Sequence, residues 1–336
     1  MKQQLLSNIV TAVKKAQKGD VYFEELFSQD APTGKNEFLL FIKPEILLDS
    51  PNLKTEAMVS VVLDKIAQFG LTIHNAKILS AKYLEDHNII AQHYGVINKI
   101  ATDAKNNVSQ SGKEKFKELY DIDFDKANVM GGMEFIKKFP EFTPYTLDIL
   151  WQAQTSKKLA GGTYVEAIKM DDATIHLING FHPRQLHHFT QKGRAIIVMT
   201  VSGDTSWVDA RDKMIGNTFP DRADEGSIRR EFFNRMKEFG LPEVSIASNG
   251  IHLSAGPVEG LIELTRYNSN FSDKSKVLSF DNFAFGKKLK SSLSNDQVNK
   301  VLSNVNVTLD GKSVSVFDLT EMMDSDQALE TIKKHA

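Results

Sequence analysis

Apolar positions recur every three or four residues at the start of the chain. Leu5, Leu6, Ile9, Val10 and Val13 fall on one face of a helix that Gly19 closes. Tyr22, Phe23, Leu26 and Phe27 form a second amphipathic piece, and Ala31-Pro32-Thr33-Gly34 reads as a loop. The pattern then changes. Glu37-Phe38-Leu39-Leu40-Phe41-Ile42 is a short, nearly continuous apolar run, which predicts a buried strand. It stops at Lys43-Pro44, because proline has no amide hydrogen to give to a ladder. Residues 55–69 place Val59, Val62, Leu63, Ile66 and Phe69 on one helical face, and Gly70 ends the helix. A strand over 71–81 and a helix over 83–100 follow.

A similar order returns later. Ala195-Ile196-Ile197-Val198-Met199 marks a strand over 194–201, with a helix over 207–215, a loop over 216–226 and a helix over 231–239. Residues 243–248 read as a strand and 256–267 as a helix. Two strand-helix-strand halves predict an α+β fold: a ferredoxin-like βαββαβ core with an antiparallel sheet. The intervening residues begin polar (Asp103-Ala104-Lys105-Asn106-Asn107) and become mixed helical and aromatic around Trp151. Loop-closure cost grows by only about 0.6 kcal/mol per doubling of length, so a long insertion at a surface connection is tolerable. The expected plan is a helical N-terminal extension (1–36), a core (37–100 and 190–287), a mainly helical inserted subdomain (101–189) and a helical C-terminal extension (288–336). A hairpin is expected at Leu309-Asp310-Gly311.

Composition narrows the function. Of 336 residues, 41% are hydrophobic and 25% charged, which suits a soluble globular chain with a sizeable core. A net charge of −2 without a long Lys/Arg run argues against a nucleic-acid partner. No cysteine is present, which removes disulfides, thiolate zinc sites and cysteine nucleophiles. The first helix is too polar for a signal peptide, and no stretch approaches the roughly 20 apolar residues of a membrane span. A cytoplasmic protein without a membrane partner is expected.

The chemistry concentrates at Asn249-Gly250-Ile251-His252-Leu253-Ser254, between a predicted strand and a helix. A neutral imidazole there is a competent nucleophile near its ordinary pKa of about 6.5. A carboxylate on its other ring nitrogen fixes the tautomer, and Glu259 and Glu263 lie on the following helix. Taken alone, such a histidine reads as structural. Its company changes the reading. Gly216-Asn217-Thr218-Phe219-Pro220 and Gly226-Ser227-Ile228-Arg229 offer backbone donors, a hydroxyl and a guanidinium that can fork onto phosphate. Arg211, Lys43 and Tyr94 supply further donors. Phosphoryl transfer asks mainly for positioning and positive donors, and these are the types required. By contrast, His182, His187 and His188 fit no metal-ligand spacing, so no protein metal site is expected. Gly161-Gly162 reads as a turn and not as a phosphate loop.

Four motifs in order resemble those of the nucleoside diphosphate kinases. Asn249-Gly250-Ile251-His252-Leu253-Ser254 is similar to that family's Asn-x-x-His-x-Ser. Gly216-Asn217-Thr218-Phe219-Pro220 with Gly226-Ser227-Ile228-Arg229 resembles Gly-x-Thr-x-Pro followed by Gly-Thr-Ile-Arg. Lys43-Pro44 and His93-Tyr94 match a Lys-Pro pair ending the first strand and a His-Tyr pair on the second helix. The resemblance covers about 37–100 and 190–268.

It implies a ping-pong phosphotransferase. His252 would take the γ-phosphoryl group of a nucleoside triphosphate as phosphohistidine, and a nucleoside diphosphate would collect it. Mg²⁺ would bridge the phosphates, held mainly by nucleotide and water. The resemblance further implies that Lys43 reaches ribose and phosphate and that Tyr94 orients Lys43 and the phosphoryl group. Thr218, Arg229 and Arg211 would bind phosphates, Asn249 the sugar, and Ser254 would support the carboxylate partner of His252. Phe181-His182-Pro183 resembles a Phe-Phe-Pro element, making Phe181 a base-stacking candidate. A homo-oligomer is implied as well. The chain departs from the pattern in four places. Leu253 stands for a glycine and Ala255 for an acid, Arg211 lies one residue further from Gly216, and about ten extra residues separate Arg229 from Asn249. Leu253, Ala255, the shifted Arg211 and the large insertion motivate an alternative, a catalytically impaired nucleotide-binding regulatory module on the same fold.

Overall fold

The computed structural model describes residues 2–30, 34–170 and 173–335, so Ala31, Pro32 and Thr33 of the expected loop lie outside the described residues. The chain divides into two compact units, Met1–His87 with Lys192–Ala336, and Asn88–Gln191. In chain order the strands are β1 (Phe23–Ser28), β2 (Asn36–Ile42), β3 (Thr72–Ser80), β4 (Val129–Gly131), β5 (Lys157–Ala160), β6 (Thr163–Met170), β7 (Ala173–Ile178), β8 (Ala195–Gly203), β9 (Ile251–Leu253), β10 (Asn306–Leu309) and β11 (Lys312–Ser315). Among the described residues no helix is long and apolar enough to cross a membrane.

The first unit is α+β. Its five-stranded sheet runs β1-β3-β8-β2-β9 and every pairing is antiparallel. β2 and β8 are central and covered on both faces, which is why their sequences are apolar at successive positions instead of alternating. Phe38, Leu40 and Ile42 of β2 point into a core shared with Leu5, Ile9 and Val13 of the helix Lys2–Lys18 and Val59 and Val62 of the helix Thr55–Gln68. Period-two alternation sends Leu39 and Phe41 to the other face. There Phe41 meets Tyr267 of the helix Pro257–Asn268, with ring centroids 5.3 Å apart.

Several expectations need correction. The amphipathic piece at 22–27 belongs to no helix. It forms β1, an edge strand on β3, so residues 1–36 are not wholly helical. No strand forms over 243–248, and the strand lies further on, with His252 at its centre. The helix expected over 83–100 is broken into Ala81–Asp86, Ile89–His93 and Gly95–Thr102, with Asn88 at φ +52°. The unit boundary falls at that break and not at residue 100.

The second unit carries a four-stranded sheet in the order β4-β7-β6-β5, with β4 and β7 parallel, so the expected mainly helical insertion is mixed. One core packs Phe116, Phe124, Leu159, Val165 and Ile178 together. Another gathers Phe135, Leu147, Trp151, Ile168 and Leu177. Glu166 of β6 is buried, both its carboxylate oxygens lack a hydrogen-bond partner among the described residues, and burial pushes its pKa up to about 7.

Residues 288–335 return to the first unit. β10 and β11 pair as a hairpin whose turn residues Asp310 and Gly311 both take positive φ, +49° and +76°. That is the backbone a two-residue hairpin turn requires, and Asp-Gly tolerates it best.

Candidate functional site

β9 pairs with β2 in the register Leu40↔Leu253, Phe41↔His252 and Ile42↔Ile251. His252 therefore shares a face with Phe41, and the two rings stack with centroids 4.5 Å apart and planes 21° from parallel. The imidazole is held at its edge too. Its Nε2 lies 3.1 and 3.0 Å from the two carboxylate oxygens of Glu263, on the helix Pro257–Asn268. Ser254 Oγ donates to the same carboxylate at 2.6 Å. A carboxylate accepts only, so Nε2 is the protonated nitrogen and the lone pair sits on Nδ1. Sequence reasoning named both Glu259 and Glu263, and the structure puts Glu263 on the ring. Glu259 lies nearby, where burial and then the Glu263 carboxylate raise its pKa while Arg211 opposes the shift.

β9 is an edge strand, and its outward carbonyls need donors. Two arginines supply them on either side of His252. Arg229 Nη2 donates to Ile251 O at 3.1 Å and its Nη1 to Gly216 O at 2.9 Å. Arg211 Nη1 donates to Leu253 O at 3.2 Å. Each guanidinium keeps further N–H donors beyond these bonds. Arg229 Nε and the Ser227 hydroxyl are buried without a partner among the described residues. Such groups are uncommon and point to something that completes them. Arg211, Asp212, Ile215, Gly216, Asn217, Thr218, Arg229 and Leu253 line a pocket of about 110 Å³ at this place.

The position of Arg211 has a local cause. Asp209–Ile215 is π-helical, and Gly216 N–H donates to Arg211 O, five residues back, at 2.9 Å. A π turn holds one residue more than an α turn. The extra residue between Arg211 and Gly216 is taken up there, and Arg211 stays on the pocket wall. Gly216 itself stands at φ +94°, and a Cβ on it would lie 2.4 Å from Ser227 Oγ, so only glycine fits.

Lys43 caps β2. Its Nζ donates to Asn249 Oδ1 at 2.7 Å, and its amide donates to Gly250 O at 2.9 Å. Gly250 N–H in turn donates to Glu45 Oε1 at 2.8 Å. Lys43, Glu45 and Asn249 are all buried. Burial lowers the Lys43 pKa to about 8, with Glu45 opposing and Arg229 adding to the fall. Arg229 is likewise lowered to about 10, by burial first and by Arg211 second. Arg229 thus stands close enough to lower Lys43, and Arg211 close enough to lower Arg229, an arrangement suited to a polyanion.

Lys43, Arg211, Thr218, Arg229, Asn249, His252 and Ser254 all belong to the first unit. Tyr94 and Phe181, expected with them, belong to the second. There Tyr94 meets His182 and Phe189 edge-on or tilted, and Phe181 packs between Trp151 and Tyr164. His182 bonds Gln185 and Asn98 through its two ring nitrogens, at 2.9 and 3.0 Å, and has no nitrogen left for a metal. Sequence reasoning missed Glu45 and the π turn. The one-residue excess before Gly216 was the available signal for the turn.

No family model matches the chain, and no curated protein matches it. Among solved structures, a nucleoside diphosphate kinase from Encephalitozoon cuniculi is 13% identical with a TM-score of 0.33, covering 73% of this chain and 94% of that one. An NDP kinase from Pyrobaculum aerophilum is 18% identical with a TM-score of 0.34, covering 74% of this chain and 100% of that one. Overlaps this loose fix neither a fold nor an activity.

Proposed function

We propose that this chain is a nucleoside-diphosphate-kinase-like phosphotransferase that carries a γ-phosphoryl group on His252. The observation behind this reading is the ring held between Phe41 and Glu263 on a strand whose flanking carbonyls are gripped by Arg211 and Arg229. The Glu263 carboxylate keeps the proton on Nε2, so Nδ1 is the attacking atom. As Nδ1 bonds phosphorus, the bond to the nucleoside diphosphate breaks and the ring gains positive charge, which Glu263 offsets. A second nucleoside diphosphate then attacks the phosphorus and restores the imidazole. Lys43, Arg211, Arg229 and Thr218 are the donors for the phosphate oxygens, and Asn249 positions Lys43. Mg²⁺ would travel on the polyphosphate and neutralise its charge. Apart from the Asp212 carboxylate, the pocket's polar side chains are cationic or neutral, which fits phosphate oxygens better than a bare cation.

We read the sheet as a ferredoxin-like core with β1 added at its edge. The support is the order β3-β8-β2-β9, in which β8 lies between the strands β2 and β3 that a helix joins. Nucleoside di- and triphosphates are the partners this reading requires, and a cytoplasmic homo-oligomer is part of it.

The test is incubation with γ-labelled ATP and Mg²⁺. The protein should acquire acid-labile, alkali-stable label that a nucleoside diphosphate discharges, and His252→Ala should acquire none. Nucleotide binding without label on the wild type refutes phosphotransfer and leaves the regulatory module.

A further inference from the structure

Residues 318–324 reach Arg211, which lines the pocket. Glu321 places a carboxylate oxygen 3.7 Å from Arg211 Nη2. Met322 N–H donates to Ala255 O at 3.0 Å, one residue beyond Ser254. The approach is close: a Cβ on Gly256 would stand 2.5 Å from Thr320 O and 3.0 Å from Glu321 Cα. Met322 takes φ +62°, a left-handed conformation that a side chain of this kind seldom adopts, at the point where the segment turns.

The turn delivers Asp324 to a firm anchor. Asp324 accepts from Lys35 Nζ, from Asn36 Nδ2 at 2.9 Å and from the amide of Trp207 at 2.9 Å. Asn36 Oδ1 accepts from the amide and hydroxyl of Ser325, at 2.8 and 3.0 Å. Asp324 thereby ties the segment to the start of the helical stretch that carries Arg211. Glu321 and Asp318 also act on Glu259, each raising its pKa. A firmly tied anchor thus holds a loosely tied carboxylate. The Glu321 side chain is 47% exposed and that of Arg211 27%. Ion pairs so wet are weak and screened by salt, so a stronger anion can replace this one.

We propose that this segment is a displaceable acidic latch: Glu321 is the resident counter-ion of Arg211, and an incoming polyphosphate takes its place. The proposal rests on reading the pocket as a polyanion site. It gives residues 318–324 a task, which is to hold Arg211 extended toward the pocket between turnovers and to reject weaker anions.

The experiment is calorimetric titration of the full chain with inorganic tripolyphosphate, wild type against Glu321→Gln. At low salt the variant should bind about two- to five-fold more tightly, the range of an exposed ion pair. The difference should vanish near about 0.5 M salt, where the Debye length is only a few ångström. Saturating tripolyphosphate should also speed hydrogen exchange at the Met322 amide of the wild type. Equal or weaker binding by the variant overturns the latch and leaves the phosphotransferase reading intact. Absence of tripolyphosphate binding by both proteins overturns the two together.

Discussion

Glu263→Gln isolates the charge that the site holds against His252. The glutamine has the same length and keeps an acceptor oxygen for Nε2, now 3.0 and 3.1 Å from two carboxylate oxygens. What it removes is the negative charge. On the proposed mechanism that charge orients a neutral ring in the resting state. In the transition state it faces an imidazole that is becoming cationic as Nδ1 bonds phosphorus. A hydrogen bond to a charged group is worth about 1.5–3 kcal/mol, against about 0.5–1.5 for a neutral one. Burial of Glu263 leaves little water to screen the difference. The expected loss is about 1–1.5 kcal/mol of barrier lowering, or roughly 5- to 13-fold in rate. The assay is the single-turnover rate of His252 labelling by γ-labelled ATP, followed by quenching into alkali. Glu263 does not line the phosphate pocket, so nucleotide affinity should stay within about two-fold of the wild type. A labelling rate within two-fold of the wild type refutes the role assigned to this carboxylate. A large loss of affinity instead would show that Glu263 binds substrate.

Two pH dependences follow from buried groups. Lys43 has its pKa lowered to about 8 by burial, so polyphosphate affinity should fall from about pH 7 to about pH 9.5 as the ammonium loses its proton, and Lys43→Met should bind weakly with a flat profile. Stability of the unliganded protein moves the other way. The unfolded chain holds more protons than the folded one between about pH 8 and about pH 10.4, so this group adds stability as pH rises through that window, readable from urea midpoints. For Glu166 the folded pKa of about 7 lies above the unfolded value of about 4.3, and the folded protein binds the extra proton. Protection of the β6 and β7 amides should therefore fall by about 1–3 kcal/mol between about pH 4.5 and about pH 7.5. Glu166→Gln should flatten that dependence, and parallel profiles for variant and wild type would count against an unpaired carboxyl.

The legible parts of the chain are those in which burial alone dictates the pattern. β2 and β8 are covered on both faces, so their apolar runs identified them without any knowledge of their partners. Edge strands were harder. In β1 the register with β3 shifts between Glu25 and Phe27, and this bulge breaks the alternation that distinguishes a strand from a helix. Residues 243–248 alternate like a strand, yet Ile246 is exposed and no neighbour offers a ladder. β9 has only three residues, and its pairing with β2, more than two hundred positions away, creates it. The break at Asn88 was hidden because apolar spacing continues past it. Among the site residues, Lys43, Asn249, His252 and Ser254 were legible as types in a motif. Their connections through Glu263 and Glu45 depend on tertiary contact and were open or unseen.

The two substitutions around His252 have separate physical accounts. In β9 successive side chains alternate between faces, so Leu253 points with Ile251 into the core that holds Phe38 and Leu40, while His252 points to Phe41 and Glu263. A leucine there fills core volume and takes no space from the imidazole. Its carbonyl, which any residue would supply, is the atom that Arg211 grips. At Ala255 the resemblance implies an acid. Here the backbone of Ala255 accepts Met322 N–H, and a carboxylate reaches Arg211 from Glu321 of the same turn. An acid supplied from a distant segment can leave, whereas one fixed next to the nucleophile cannot. On the proposed reading both substitutions therefore leave the imidazole, its carboxylate and its flanking arginines in place.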